Sequence, residues 1–106
     1  MKNLLLLTFV FTSGLLVSQG GKVIDQLSLK SKILNSERKY AVYLPSDYDH
    51  SNREYPVLYL LHGAGDDHTG WVQFGEVKSI ADKTNKEGLS TSMIIVMPDA
   101  QTGKRG

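Results

Sequence analysis

An α/β fold is predicted for this chain: an antiparallel hairpin followed by a parallel strand-helix-strand unit, with the sheet left incomplete. Three observations carry that reading. Residues 23–44 contain two runs with apolar side chains at alternate positions. Val57-Leu58-Tyr59-Leu60-Leu61 is an unbroken apolar run that stops at His62-Gly63. A helical pattern then separates it from a second apolar run, Met93-Ile94-Ile95-Val96-Met97. Alternation fits a strand covered on one face, whereas continuous apolar runs fit strands covered on both, as in parallel sheets flanked by helices.

The elements follow in order. Met1 to Gly20 reads as a secretory leader, with Lys2 giving a positive start, a largely apolar stretch from Leu4 to Val17, and small residues at Ser18 and Gly20. The apolar stretch is shorter than the roughly 20 residues of a membrane span, so cleavage and export to the periplasm or medium are expected, with no stable membrane anchor afterwards. Between Val23 and Leu34, Leu27, Leu29 and Ile33 alternate with polar residues as in a half-buried strand, and Asn35-Ser36-Glu37 is expected to turn the chain. Tyr40, Val42 and Leu44 alternate in a second strand closed by Pro45. Ser46 to Tyr55, rich in Asp, Ser, Asn and Tyr, is expected as an exposed connection to the strand at Val57–Leu61.

After the glycine-rich loop, Val77, Ile80, Ala81 and Thr84 fall on one helical face with Lys78, Asp82, Lys83 and Lys86 outward, and Gly88 marks the stop. The second apolar strand then ends at Pro98. A strand, helix and strand in that order place the two strands parallel. The tail from Asp99 to Gly106 is polar and reads as a loop.

Composition narrows the classes of function. The formal charge of +1 and the absence of any basic cluster beyond the pairs Arg38-Lys39 and Lys104-Arg105 argue against nucleic acid; both pairs read as solvated surface charge. There is no cysteine, hence neither a disulfide nor a lipid-modified cysteine after the leader. Without the leader about 86 residues remain. A chain that small buries only about 60% of its unfolded surface.

The chemistry concentrates where the first apolar run ends. Ligands of parallel sheets bind beyond the carboxyl ends of the strands. A glycine-rich turn there, Gly63-Ala64-Gly65, leaves main-chain N–H groups free to face an anion such as the oxyanion of an acyl-transfer intermediate. Gly65 and Gly70 are spaced as in a phosphate loop, but Trp71 and Val72 stand where Lys and Ser or Thr are required, and no dinucleotide glycine pattern is completed. His62, Asp66, Asp67 and His68 are conceivable metal ligands. Clustered turn aspartates more commonly bond their own backbone, so neither metal nor cofactor is expected.

The whole array, Tyr40-Ala41-Val42-Tyr43-Leu44-Pro45, then Tyr-Pro-Val-Leu-Tyr-Leu-Leu-His-Gly-x-Gly leading to Trp71, then a helix and Ile-Ile-Val-Met-Pro-Asp, resembles the opening third of the esterase D-like branch of the α/β-hydrolases. That branch includes feruloyl and acetyl-xylan esterases, enterochelin esterases, formylglutathione hydrolases and mycolyl transferases. The resemblance runs from about Leu29 to Asp99. It implies that Ala64 gives one backbone N–H to the oxyanion hole, that Gly63 lets the chain turn closely, and that His62 fixes the turn. It also implies that Trp71 is the aromatic below the cleft mouth, with a core plug at the helix start as the competing reading, and that Asp99 shapes the substrate pocket.

The sequence departs from the family in one respect: these residues contain no Gly-x-Ser-x-Gly element, and His50, His62 and His68 do not qualify as the base of a triad. The expectation is therefore that residues 21–106 are the amino-terminal portion of an exported serine ester hydrolase, acting on small-molecule or polysaccharide esters. The catalytic Ser, Asp and His would come from sequence beyond this chain, and this portion alone would be inactive. The rival is a non-catalytic exported product that binds a partner through its unpaired strand edge. A carbohydrate-binding module is disfavoured because Tyr59 lies inside an apolar run rather than on an exposed aromatic face.

Overall fold

The computed structural model describes residues 20–103. The leader expected at Met1–Gly20 lies outside them except for Gly20, as does the Lys104-Arg105 pair. Strand β1 (Lys22–Ser31) and strand β2 (Ser36–Leu44) form the antiparallel hairpin. After a single 3₁₀ turn at Tyr48–His50 come β3 (Val57–Tyr59), the short helix α1 (Gly70–Gln73), helix α2 (Val77–Lys86) and strand β4 (Ile94–Pro98). The sheet order is β1-β2-β4-β3. Strand β4 runs antiparallel to β2, from Tyr40↔Pro98 to Tyr43↔Ile95, and parallel to β3, pairing Leu58 with Ile95. The predicted hairpin and the parallel strand-helix-strand unit are both present, joined through β4.

The hairpin turns earlier than expected. Lys32 to Asn35 form the turn, while Ser36 and Glu37 already belong to β2. The Ser31 hydroxyl accepts the Leu34 N–H at 3.1 Å, and Asn35 takes φ 46°, a left-handed conformation that its short polar side chain tolerates. Register slips between Ile24 and Leu27, so Asp25 and Gln26 together face one β2 residue, which is a bulge that swaps the faces of β1. Leu29, Ile33 and Leu34 are exposed rather than half-buried. The last rung between β2 and β4 is Tyr40↔Pro98, so beyond it the far half of the hairpin is met by no further strand among the described residues.

The core lies between the sheet and α2. Ala41 and Tyr43 from β2, Ile95 and Met97 from β4, and Val77 at the start of α2 are buried. In β2 the buried face is therefore the Ala41/Tyr43 face, and the expected apolar face of Tyr40, Val42 and Leu44 is only half-buried. Of the helical face predicted for α2, Val77 is buried and Ala81 and Thr84 are half-buried, but Ile80 is 54% exposed. Helix α2 ends as the sequence indicates. Leu89 N–H donates to Thr84 O at 2.8 Å and Gly88 N–H to Asn85 O at 3.0 Å, with Gly88 at φ 72°, the paired bonds of a Schellman cap.

Strand β3 differs most from expectation. It was predicted to be buried on both faces, yet Val57 and Leu58 are exposed and Tyr59 is 69% exposed. It is an edge strand, and among the described residues it pairs only with β4. Among the described residues the outer edge of β3 is unpaired, and such an edge is a template for strand pairing.

Arg38 also departs from its expected role as a solvated charge. It is half-buried, and its Nη2 donates to Asp99 O at 2.6 Å and to Gln101 O at 2.8 Å. The tail after β4 is therefore folded back on the sheet, continuing from the bond that Asp99 N–H makes to Lys39 O at 2.9 Å.

A polar clamp holds α2 to the hairpin. Asp82 Oδ1 accepts both the Gly21 N–H and the Tyr43 hydroxyl at 2.7 Å, and Oδ2 accepts Lys78 Nζ at 2.6 Å. Burial works against the Asp82 charge, but the bonds from Lys78, Tyr43 and Gly21 outweigh it and hold the carboxyl below its ordinary 3.8. Burial, with Asp82 alongside, pushes the Tyr43 phenol well above its ordinary 10.0. Asp82 therefore contributes stability above pH 3.8 that is lost as pH falls through its lower folded value. Tyr43 contributes stability below pH 10.0 that is lost as pH rises toward its higher folded value. The thermal midpoint is expected to be flat between these limits and to fall on both sides. In Asp82→Asn the acid limb should shrink, and a midpoint profile unchanged from the parent below pH 4 would refute the clamp.

Candidate active site

Strands β3 and β4 are parallel, so their carboxyl ends open on the same side of the sheet and bring the loop after Tyr59 beside the loop after Pro98. The ladder continues for one more bond, Leu60 N–H to Val96 O at 2.9 Å, and the chain then leaves the sheet. Gly63 to Asp66 form a β-turn closed by Asp66 N–H to Gly63 O at 3.2 Å. Gly65, third in the turn, has φ 82°, while Ala64 has no positive φ. This is the type II pattern, in which the third position calls for glycine.

In that turn the amides of the two central residues are not used in closing it. Ala64 is exposed, and among the described residues its N–H has no hydrogen-bond partner. The glycine requirement falls on Gly65 rather than on Gly63. A Cβ at Gly63 would meet nothing within 4 Å among the described residues. Close approach at Gly63, expected from the resemblance, is thus not imposed by any neighbour in this part of the fold.

His62 is half-buried, with only 7% of its side chain exposed, and both ring nitrogens are engaged. Ala100 N–H donates to Nε2 at 3.0 Å. Nε2 must then carry the lone pair and Nδ1 the proton, which Nδ1 donates to Gly63 O at 2.8 Å. The partners thereby assign the neutral tautomer. Asp99 Oδ1 lies 3.5 Å from Nε2. With a lone pair on that nitrogen, the contact is not an ion pair, and Asp99 Oδ1 instead accepts the Gln101 N–H at 2.8 Å. Both ring nitrogens of His62 are thus committed to backbone groups.

Trp71, in α1, donates its indole N–H to Leu61 O at 2.9 Å, tying the start of the helix to the chain just beyond β3. At 37% exposed it is not the buried core plug of the competing reading. It borders an open apolar groove of about 260 Å³ on the α2 side of β3, lined in part by Leu58, Leu60, Val77, Ile80 and Met93. Asp99 does not line that groove and lies against His62 instead. Trp71 and Asp99, both expected near substrate, therefore occupy different surroundings.

The aspartates of the loop serve the loop itself. Asp67 Oδ1 accepts the Thr69 N–H at 2.8 Å and the Thr69 hydroxyl at 2.6 Å, bonds that hold its carboxyl below the ordinary range. Asp66 Oδ1 accepts the Asp67 N–H at 2.8 Å. Among the described residues no three His, Cys, Asp or Glu side chains are grouped to hold a metal. Two residues that sequence reasoning did not single out touch the turn: Ala100 through His62, and Gln101, whose side-chain amide donates to Asp66 O. Only the Pro-Asp end of the second apolar strand hinted that these residues would arrive here.

Comparison with known proteins adds three kinds of likeness. The Esterase family model, described as "Putative esterase", matches residues 31–105. An endo-1,4-beta-xylanase/feruloyl esterase of Xylanibacter ruminicola is 33% identical over 78 residues, which is 70% of this chain and 11% of that protein. Among solved structures, a ferulic acid esterase superposes with a TM-score of 0.73 at 41% identity, covering 76% of this chain and 31% of its own. The ferulic acid esterase AmCE1/Fae1A of Anaeromyces mucronatus gives 0.70 at 34% identity, covering 83% and 32%. The chain thus spans about a tenth of the curated relative and about a third of the solved structures.

Proposed function

This chain belongs to the Esterase family, within the α/β-hydrolase superfamily, and from that premise we propose that it is the amino-terminal part of an exported serine carboxylic-ester hydrolase of the feruloyl or acetyl-xylan esterase kind. Residues 1–20 are its cleaved leader. Residues 21–106 supply the oxyanion loop of the catalytic domain, and its nucleophile, acid and histidine come from sequence beyond Gly106. Small-molecule or polysaccharide esters are the substrates. The feruloyl esterases among the relatives support aromatic acyl esters in particular.

The observation that carries this reading is the unengaged Ala64 N–H, held in a type II turn at the carboxyl end of β3. A serine hydroxyl adds to the ester carbonyl while a histidine takes its proton. The carbonyl oxygen becomes an oxyanion that accepts hydrogen bonds from the Ala64 N–H and from one further donor. The intermediate collapses, the histidine gives the proton to the departing alcohol, and water then releases the acid by the same steps in a second round. His62 takes no proton in this scheme. It holds the Gly63 carbonyl turned so that the next amide faces outward.

The test compares two proteins. The chain joined to its downstream coding sequence should hydrolyse methyl ferulate or nitrophenyl acetate and lose that activity to a serine-directed phosphonate. The chain of 106 residues should not exceed a heat-denatured control. Hydrolysis by the short chain alone would overturn the placement of the nucleophile. The exposed apolar edge of β3 favours one other reading, a non-catalytic product that pairs with a partner strand. An inactive longer protein that captures extended peptides would support it.

A further inference from the structure

We propose that Arg38, near the start of β2, is a positioning residue for the Ala64 turn and acts through the loop that follows β4. The proposal rests on the reading of Ala64 as an oxyanion donor and adds a residue that neither substrate nor nucleophile would touch. Arg38 Nη2 donates to Asp99 O at 2.6 Å and to Gln101 O at 2.8 Å, so two carbonyls two residues apart converge on one nitrogen. That convergence bends the loop. Ala100, between them, is left with its N–H directed at His62 Nε2 at 3.0 Å, and Gln101 is left with its side-chain amide on Asp66 O.

Both ends of the turn are thereby held. Gly63 O, at its start, accepts from His62 Nδ1 at 2.8 Å. Asp66, at its end, is held through its carbonyl by Gln101. Between them Ala64 and Gly65 have amides without a partner among the described residues. Each hold depends on the loop that Arg38 gathers, whereas Arg38 itself has no carboxylate partner among the described residues. A guanidinium stays charged at any relevant pH, and its bonds to carbonyls are charge-assisted, which makes it a suitable fastener for this loop. Lysine reaches the same carbonyls with a flexible point charge and is expected to hold them less well.

Three variants of the chain test the linkage: Arg38→Met, Arg38→Lys and Gln101→Ala. Amide hydrogen exchange and the ¹⁵N signals of the His62 ring are the readouts. In Arg38→Met the amides of Ala100 and Asp66 should exchange about tenfold faster, and His62 should populate both neutral tautomers, while sheet amides such as Ile95 and Val96 keep their protection. Arg38→Lys should restore part of the difference, and Gln101→Ala should loosen Asp66 alone. Unchanged exchange at Ala100 and Asp66 in Arg38→Met, or acceleration no greater than in the sheet, overturns the proposal. In the longer esterase, Arg38→Met should lower kcat about tenfold with KM little changed, since misplacing a catalytic group by about 1 Å can cost up to 10²-fold. A loop that stays tight defeats the Arg38 proposal and leaves the oxyanion reading standing. A loop that loosens while kcat holds defeats both.

Discussion

Replacing Ala64 with proline is expected to lower kcat of the longer esterase by on the order of 10²- to 10³-fold, the usual loss for one oxyanion donor. The substitution is chosen for its geometry. Ala64 occupies the second position of a type II turn, where proline is favoured, because that position requires φ near −60°. Proline therefore keeps the turn and removes only the N–H. Ala64 is exposed, so no packing is disturbed. The thermal midpoint should consequently stay within a few degrees of the parent, and KM should change less than kcat, because the lost bond forms mainly in the transition state. Ala64→Gly, which retains the amide, should remain within a few-fold of the parent. Equal kcat in Ala64→Pro and the parent would remove Ala64 from the oxyanion hole.

Met97→Ala is expected to destabilise the fold by about 2–5 kcal/mol, the range for truncating a fully buried long side chain to alanine. Met97 is 1% exposed, at the centre of the core, on the strand that joins the hairpin to β3. It pairs with Ala41, whose side chain is too small to fill the gap. Domains of this size have only about 5–10 kcal/mol to lose, so the change is a large share of the whole. The urea midpoint should fall with the slope unchanged. Met97→Leu, nearly equal in volume, should cost less than about 1.5 kcal/mol. Ile80→Ala, at a site 54% exposed, should cost far less than Met97→Ala. Comparable losses at Ile80 and Met97 would mean that the core lies elsewhere.

The elements legible in the sequence were those written in local patterns. The hairpin, the α2 stop at Gly88, the parallel pairing of the two apolar runs and the turn after His62 all follow from periodicity and glycine placement. The details that failed depended on neighbours. Nothing in the alternation of Leu27, Leu29 and Ile33 tells where β4 stops pairing, and that limit decides which of them are covered. Likewise the composition of Val57–Leu61 describes a strand with neighbours on both sides, while the described fold supplies one.

The candidate site divides in the same way. His62, Gly63, Ala64, Trp71 and Asp99 could be picked from short motifs, but their partnerships could not. His62 meets Ala100 across 38 positions of sequence, and Arg38 meets Asp99 across 61. The amino-acid order by itself determined which segments become strands and helix and where a backbone amide is left over, because those outcomes depend on neighbours a few residues away. Tertiary structure alone decided that β4 lies between β2 and β3, that the loop after Pro98 folds back against the Ala64 turn, and that both His62 ring nitrogens meet backbone groups, because hydrogen bonds and burial between distant segments exist only once the sheet has brought them together.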